Sequence, residues 1–253
     1  MSERWIFDFI AIFPELIKPF LEVGPLKKVI EAGTLEVRLF DLKKIADSPK
    51  QIDDYPYGGG PGMVLKPEPL KRAIEKTGGG YVIYFSPQGV RLTQELAHRL
   101  IEKRHIVFIC GRYKGVDERI VEKYVDLELS IGDYVLSAGE IAGIVVLDVL
   151  SRLLPDSMGD MDSARTDSFE SSLLDAPYYT RPREFEGMEV PEVLLSGNHK
   201  LIEKWRKREA LKRTLLKRPD LLENIDLSPE EKKLLEEIIK EVLAHEGPHN
   251  KGN

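Results

Sequence analysis

Short β-branched and aromatic runs alternate with helical patterns over the first 155 residues, and that alternation admits few architectures. Trp5–Ile12, Leu35–Leu42, Tyr81–Phe85, Ile106–Cys110 and Val125–Leu129 are rich in Ile, Val, Phe and Tyr and predict strands. Pro67–Lys76, Thr93–Lys103, Asp117–Tyr124 and Ser137–Leu154 predict helices between and after them. Ser137, with Glu140 three residues on, has the form of a capping box and sets the expected start of the last helix. Strands alternating with helices predict an α/β domain with a largely parallel sheet, here residues 1–158.

Beyond Pro155 the texture changes. Residues 156–172 hold four Asp and five Ser with no periodicity, so an interdomain linker is expected at 159–172. Residues 173–246 predict a small, mainly helical domain, and 247–253 a frayed tail. Within that domain Ser228-Pro229-Glu230-Glu231 is a strong helix start, and Leu234, Leu235, Ile238, Ile239, Val242 and Leu243 predict one apolar face.

Charge is unevenly spread. Lys200–Arg218 carries nine Lys or Arg against two Glu, a local +7 that leaves −13 on the rest of a chain whose total is −6. A basic block on an acidic chain suits a polyanionic partner, with a solvated helix kept soluble by its lysines as the plain alternative. The one cysteine, Cys110, excludes a disulfide framework and fits a reducing cytoplasm. Apolar runs stop well short of the ~20 residues of a membrane span. Trp5–Ile12 is broken by Asp8 and followed by Pro14, with no small-residue cleavage site, so no signal peptide is read there. The expectation is a soluble cytoplasmic protein.

Three strands run into glycine-bearing loops: Tyr84–Gly89, Cys110–Gly115 and Ile131–Gly139. Ligands bind outside the carboxyl ends of parallel strands, so these loops are placed to share one pocket, although each also reads as an ordinary strand-to-helix turn. Competing motifs are missing. There is no G-x-G-x-x-G after a strand and no Walker loop; Tyr57–Met63 lacks the Lys-Ser/Thr ending, and Pro61 removes a donor. Its four glycines still predict a tightly bent backbone. The five histidines make no metal-ligand set with Cys110, and no G-x-S-x-G elbow occurs.

Taken in order, these loops resemble the bacterial tRNA (guanine-37-N1)-methyltransferases of the SPOUT class. Further matches are Phe13-Pro14-Glu15, Asp53-Asp54, Gly115–Arg119, Asp167-Ser168-Phe169, Tyr179–Pro182, Glu186-Gly187-Met188, Trp205-Arg206 and Arg213-Thr214. The resemblance spans roughly Trp5 to Leu222. It implies a deep trefoil knot in the N-terminal domain, a homodimer with interfacial active sites, and S-adenosylmethionine bound by Tyr84, Phe85, Pro87, Gly89, Gly111, Ile131, Gly132, Asp133, Tyr134, Val135, Leu136 and Gly139. It also implies dependence on Mg²⁺, for which the sequence offers no ligand cluster. Lys114 stands where the family usually has Glu, and Ser137-Ala138-Gly139-Glu140-Ile141-Ala142 replaces the commoner Thr-Gly-Gly-Glu-Leu-Pro.

Methylating guanine N1 requires removal of its proton while charge grows on O6, so a carboxylate base and a cation suffice in principle. The matching motif positions assign Asp167 as the base and Arg152 to O6. On residue type alone, Asp167 reads as a solvated linker residue and Arg152 as a complement to a helix dipole. The partner implied is the anticodon stem-loop of tRNA with a flipped guanine. Base-edge contacts are expected near Asp53, Tyr57, Asp167 and Ser168, and phosphate contacts from the basic block, Arg206 and Arg213 included. His199 either contacts RNA or caps the helix that follows. The alternatives are a knotted methyltransferase acting on ribosomal RNA, or a non-catalytic RNA-binding protein.

Overall fold

Two-sided apolar strands explain the centre of the first unit. The computed structural model describes residues 4–157, 167–170, 172–223 and 225–246, and the chain divides into units Met1–Gly159 and Asp160–Asn253. In the first, the order is β1 (Trp5–Ala11), α1 (Gly24–Glu31), β2 (Leu35–Asp41), α2 (Leu42–Ile45), β3 (Asp53–Asp54), β4 (Val64–Leu65), α3 (Pro67–Thr77), β5 (Tyr81–Arg91), α4 (Gln94–Ile101), β6 (His105–Ile109), α5 (Glu118–Tyr124), β7 (Leu127–Ser130) and α6 (Gly139–Arg152). Five strands form one sheet in the order β2-β1-β6-β5-β7, every pair parallel. This is the expected α/β domain, with strand ends shifted by one or two residues except at the end of β5.

Successive side chains feed opposite faces. Phe7, Phe9, Ile83, Phe85, Ile106 and Phe108 pack with α1, α4 and α6. Ile10, Val82, Tyr84, Val107 and Ile109 pack with α2, α3 and α5. Phe85 stacks on Phe108 at 5.5 Å and Phe108 on Phe9 at 4.7 Å, contacts that contribute about 0.5–1.5 kcal/mol each beyond burial. Asp8, the break in the first apolar run, is wholly buried. Both its oxygens accept from Arg38 at 2.6 Å, and His105 Nε2 lies 2.8 Å away, so the charge is paired.

Two features depart from the sequence reading, and a third, the bent glycine segment, agrees with it. β5 continues past Phe85 to Arg91: Phe85 and Val90 both register with Leu129, so Ser86–Gly89 loops out of the ladder. Pro87 has no N–H to give that ladder, and a Cβ on Gly89 would lie 2.4 Å from the Glu128 carbonyl carbon. The capping box at Ser137 does not form: α6 starts at Gly139, Ala138 is its cap residue, and no side chain caps it. The glycine-rich Tyr55–Met63 segment is the connection of a small hairpin, β3 with β4, in which Gly58, Gly59, Gly60 and Gly62 all have positive φ.

The second unit carries a hairpin, β8 (Glu184–Phe185) with β9 (Met188–Glu189), then α7 (Glu192–Leu195), α8 (His199–Lys217) and α9 (Pro229–Glu246). Leu173, Leu211, Leu227 and Ile238 make its core. Leu234, Leu235 and Val242 join it, but Ile239 and Leu243 of the expected face are exposed. The stripe that this core covers is thus narrower than the sequence pattern. The expected linker lies largely, and the tail wholly, outside the described residues. No helix among the described residues is long and apolar enough to cross a membrane.

The capping box at Ser228 does form: Ser228 N–H donates to Glu231 Oε2 at 2.8 Å and Glu231 N–H to Ser228 Oγ at 3.3 Å. Hydrogen bonding from Ser228, then the Lys207 ammonium 2.9 Å away, lowers the Glu231 carboxyl to about 2. A depressed acid stabilises the fold above its ordinary value of 4.5 and loses that contribution as pH falls through about 2. An acid titration of helical signal is therefore expected to lose α9 in this window, and Glu231→Gln to weaken α9 at neutral pH while flattening its acid loss. Identical acid profiles for the two proteins would contradict this.

Candidate active site

Three loops meet at the carboxyl end of the parallel sheet and enclose a cleft of about 710 Å³, its open mouth included. Ten of the twelve expected cofactor residues line it: Tyr84, Phe85, Pro87, Gly111, Ile131, Gly132, Tyr134, Val135, Leu136 and Gly139. Gly89 and Asp133 do not. Gly89 lies against the backbone of β7, and Asp133 pairs outward with Arg91. Ser86, Arg112, Tyr113, Lys114 and Gly115, inside the loops expected to share a pocket, line it too, and Ser130 and Ala142 are among the lining residues that the sequence reading missed. All but Ala142 belong to or flank the same three loops, so position after a strand was the usable signal; Ala142 enters one turn into α6.

The glycines here are required by close approach. Gly139 N–H donates to Gly111 O at 2.9 Å, and a Cβ on Gly139 would lie 2.6 Å from Gly111 N. A Cβ on Gly115 would lie 2.7 Å from the Tyr84 hydroxyl. Ala138 has φ −146° and is therefore unstrained.

Glu140 explains the failed cap. Its carboxylate is completely buried and turns away from Ser137. Oε1 accepts from Phe13 N–H at 3.1 Å, and Oε2 accepts from Arg112 Nε at 3.1 Å. The Arg112 guanidinium lies 4.4 Å from the Phe13 ring, and the Lys43 ammonium 4.5 Å from it. Burial, then the Glu140 carboxylate, pushes the Cys110 thiol well above its ordinary range, so it stays neutral and inert. Burial also raises the Tyr84 phenol, which stays protonated on the cleft wall.

The hairpin is tied to the same wall. Lys114 N–H donates to Met63 O and Leu65 N–H to Gly115 O, both at 3.0 Å. Asp53 is half-buried on β3, and Tyr57 is fully exposed on the glycine loop. Arg152 is the last residue of α6, half-buried, and its carbonyl accepts from Ser157 Oγ at 2.9 Å.

In the second unit Asp167 opens a turn, Glu170 N–H donating to its carbonyl at 3.2 Å. Ser168 Oγ accepts from Asp175 N–H at 3.0 Å. Asn198, not His199, caps α8, accepting from Leu201 N–H at 3.3 Å, and His199 is exposed as the first helical residue. On α8, Lys207 and Arg208 are tied to Glu231 and Glu241. Arg206 is exposed and Arg213 half-buried, and neither has an ion-pair partner among the described residues. Tyr179 lies 6.3 Å from Trp205, ring to ring. Among the described residues no group of three or more His, Cys, Asp or Glu is placed to hold a metal ion.

Residues 5–224 match the family model described as tRNA (guanine-1)-methyltransferase TrmD. The chain is 50% identical over 238 residues to a tRNA (guanine-N(1)-)-methyltransferase of Dictyoglomus turgidum, covering 93% of this chain and 97% of that protein. It is 48% identical over 241 residues to the like-named protein of Thermosipho melanesiensis, with 93% and 97% covered. The corresponding protein of a Sulfurihydrogenibium species is 51% identical over 236 residues, with 91% and 92% covered.

Gly139→Ala is expected to destabilise by roughly 1–3 kcal/mol, because backbone rather than a side chain must give way. Ser137→Ala, which removes no cap, should stay within about 0.5 kcal/mol of the parent. Thermal melts decide both; a large loss at Ser137 would restore the capping box.

Proposed function

Because the chain belongs to the tRNA (guanine-1)-methyltransferase family, we propose that it transfers a methyl group from S-adenosylmethionine to N1 of guanosine 37 of tRNA, beside the anticodon. The observation that carries this reading is the cleft where three glycine loops converge. Its composition suits the donor. Backbone groups of the three loops that are not bonded to one another can read an adenine edge, and Ile131, Leu136 and Ala142 offer an apolar seat. When bound, S-adenosylmethionine supplies a methyl carbon activated by its sulfonium.

The chain's own task is then to make N1 nucleophilic. Asp167 accepts the N1 proton, and Arg152 balances the charge that grows on O6. RNA binding closes the site around Asp167, so the site matures on its substrate. Arg206 and Arg213 contact phosphates, while Asp53, Tyr57, Ser168 and His199 contact the stem-loop.

The position of Arg152 supports a shared site. α6 begins on the cleft at Gly139 and runs fourteen residues, which sets its ends about 20 Å apart. An arginine side chain does not span that gap, so Arg152 serves the cleft of a second copy and the enzyme is a homodimer.

Labelled S-adenosylmethionine tests the reading: label enters tRNA bearing G37 and not an A37 variant, and equal labelling of both would overturn the position. Asp167→Asn and Arg152→Ala are each expected to lower the single-turnover rate about 100-fold or more, with donor affinity nearly unchanged. Two inactive proteins, Arg152→Ala and a cleft-blocked Leu136→Arg, should regain about a quarter of wild-type activity when co-refolded in equal amounts. No regain, with mixed dimers present by mass, would refute the shared site.

A further inference from the structure

Resting on the proposed donor, we infer that Lys114 is a carboxylate-binding residue of the cleft and holds the amino-acid end of S-adenosylmethionine. Four observations lead there. Lys114 lines the cleft beside Tyr113 and Gly115. Its stem is held: the space above Gly62 is filled by it, so a Cβ there would meet Lys114 Cγ at 2.9 Å and Cε at 3.2 Å. Its backbone is held too, through the bond to Met63 O. Its ammonium, on an exposed residue, has no ion-pair partner among the described residues.

The surrounding charges leave that ammonium uncompensated. Arg112, the other cation that lines the cleft among the described residues, is matched by Glu140. Asp133 on the neighbouring loop is matched by Arg91. Among the described residues no carboxylate lines the cleft, so the described wall carries a net positive charge. A ligand with a sulfonium and an ammonium is repelled by such a wall unless its own carboxylate meets the cation. The stem of Lys114, confined by Gly62, loses little further freedom on pairing, which favours the contact.

Calorimetry with S-adenosylhomocysteine and with 5′-methylthioadenosine, which lacks the amino-acid end, tests this without turnover. Lys114→Gln should weaken S-adenosylhomocysteine about fivefold or more, Lys114→Glu further, and Lys114→Arg little. Binding of 5′-methylthioadenosine should be the same in all four proteins. Failure of wild type to bind either compound would instead dismiss the donor reading on which this rests. If wild type binds both and Lys114→Gln leaves S-adenosylhomocysteine unchanged, the assignment is overturned. The same holds if Lys114→Gln lowers only tRNA affinity and its salt dependence, the mark of a phosphate contact.

Discussion

A carboxylate sealed from water organises the cleft end of the first unit. Glu140 is the second residue of α6, yet its partners come from the segment after β1 and the loop after β6. Three parts of the chain are thereby fixed to one another within hydrogen-bonding distance. An ionised group in that position is tolerable only if it is fully paired, and removing one partner of such a pair typically costs about 3–5 kcal/mol. The glycine contact one residue earlier serves the same end. Gly139 brings α6 against Gly111, and Glu140 and Arg112, the next residue of each segment, are then close enough to pair.

Much of this is legible in the amino-acid sequence. Strands with large apolar residues on both faces announce a sheet covered by helices on each side, and Phe7, Phe9, Ile10 and Val107 fulfil that directly. The loops that ring the cleft were legible for the same reason. What escaped was set by distant partners. Ser137 and Glu140 satisfy the local pattern of a cap, but Glu140 finds Phe13 and Arg112, 127 and 28 residues away in sequence. Gly89 reads like a ligand glycine, and a close approach to the neighbouring strand, invisible in the local pattern, also requires its small size. At Ser228 no distant partner displaces the pattern, since Lys207 adds to it, and the local rule holds.

The basic block also reads differently in three dimensions. Its charge count treats nine cations alike, whereas Lys207, Arg208 and Arg218 each have a carboxylate in contact. Some of those charges therefore hold α8 in place, and Arg206 and Arg213 are among those left for a partner. A total charge measures attraction at long range, and ion pairing decides which side chains are available at contact.

The aromatic column inside the sheet has a consequence for the cleft. Phe85 forms part of the cleft wall and also the end of the stack that continues through Phe108 to Phe9. A molecule seated against that ring leans on the same pile that keeps the sheet folded. Occupancy and resistance to heat are then two readings of one free energy, and the protein doubles as its own thermometer for whatever fills it.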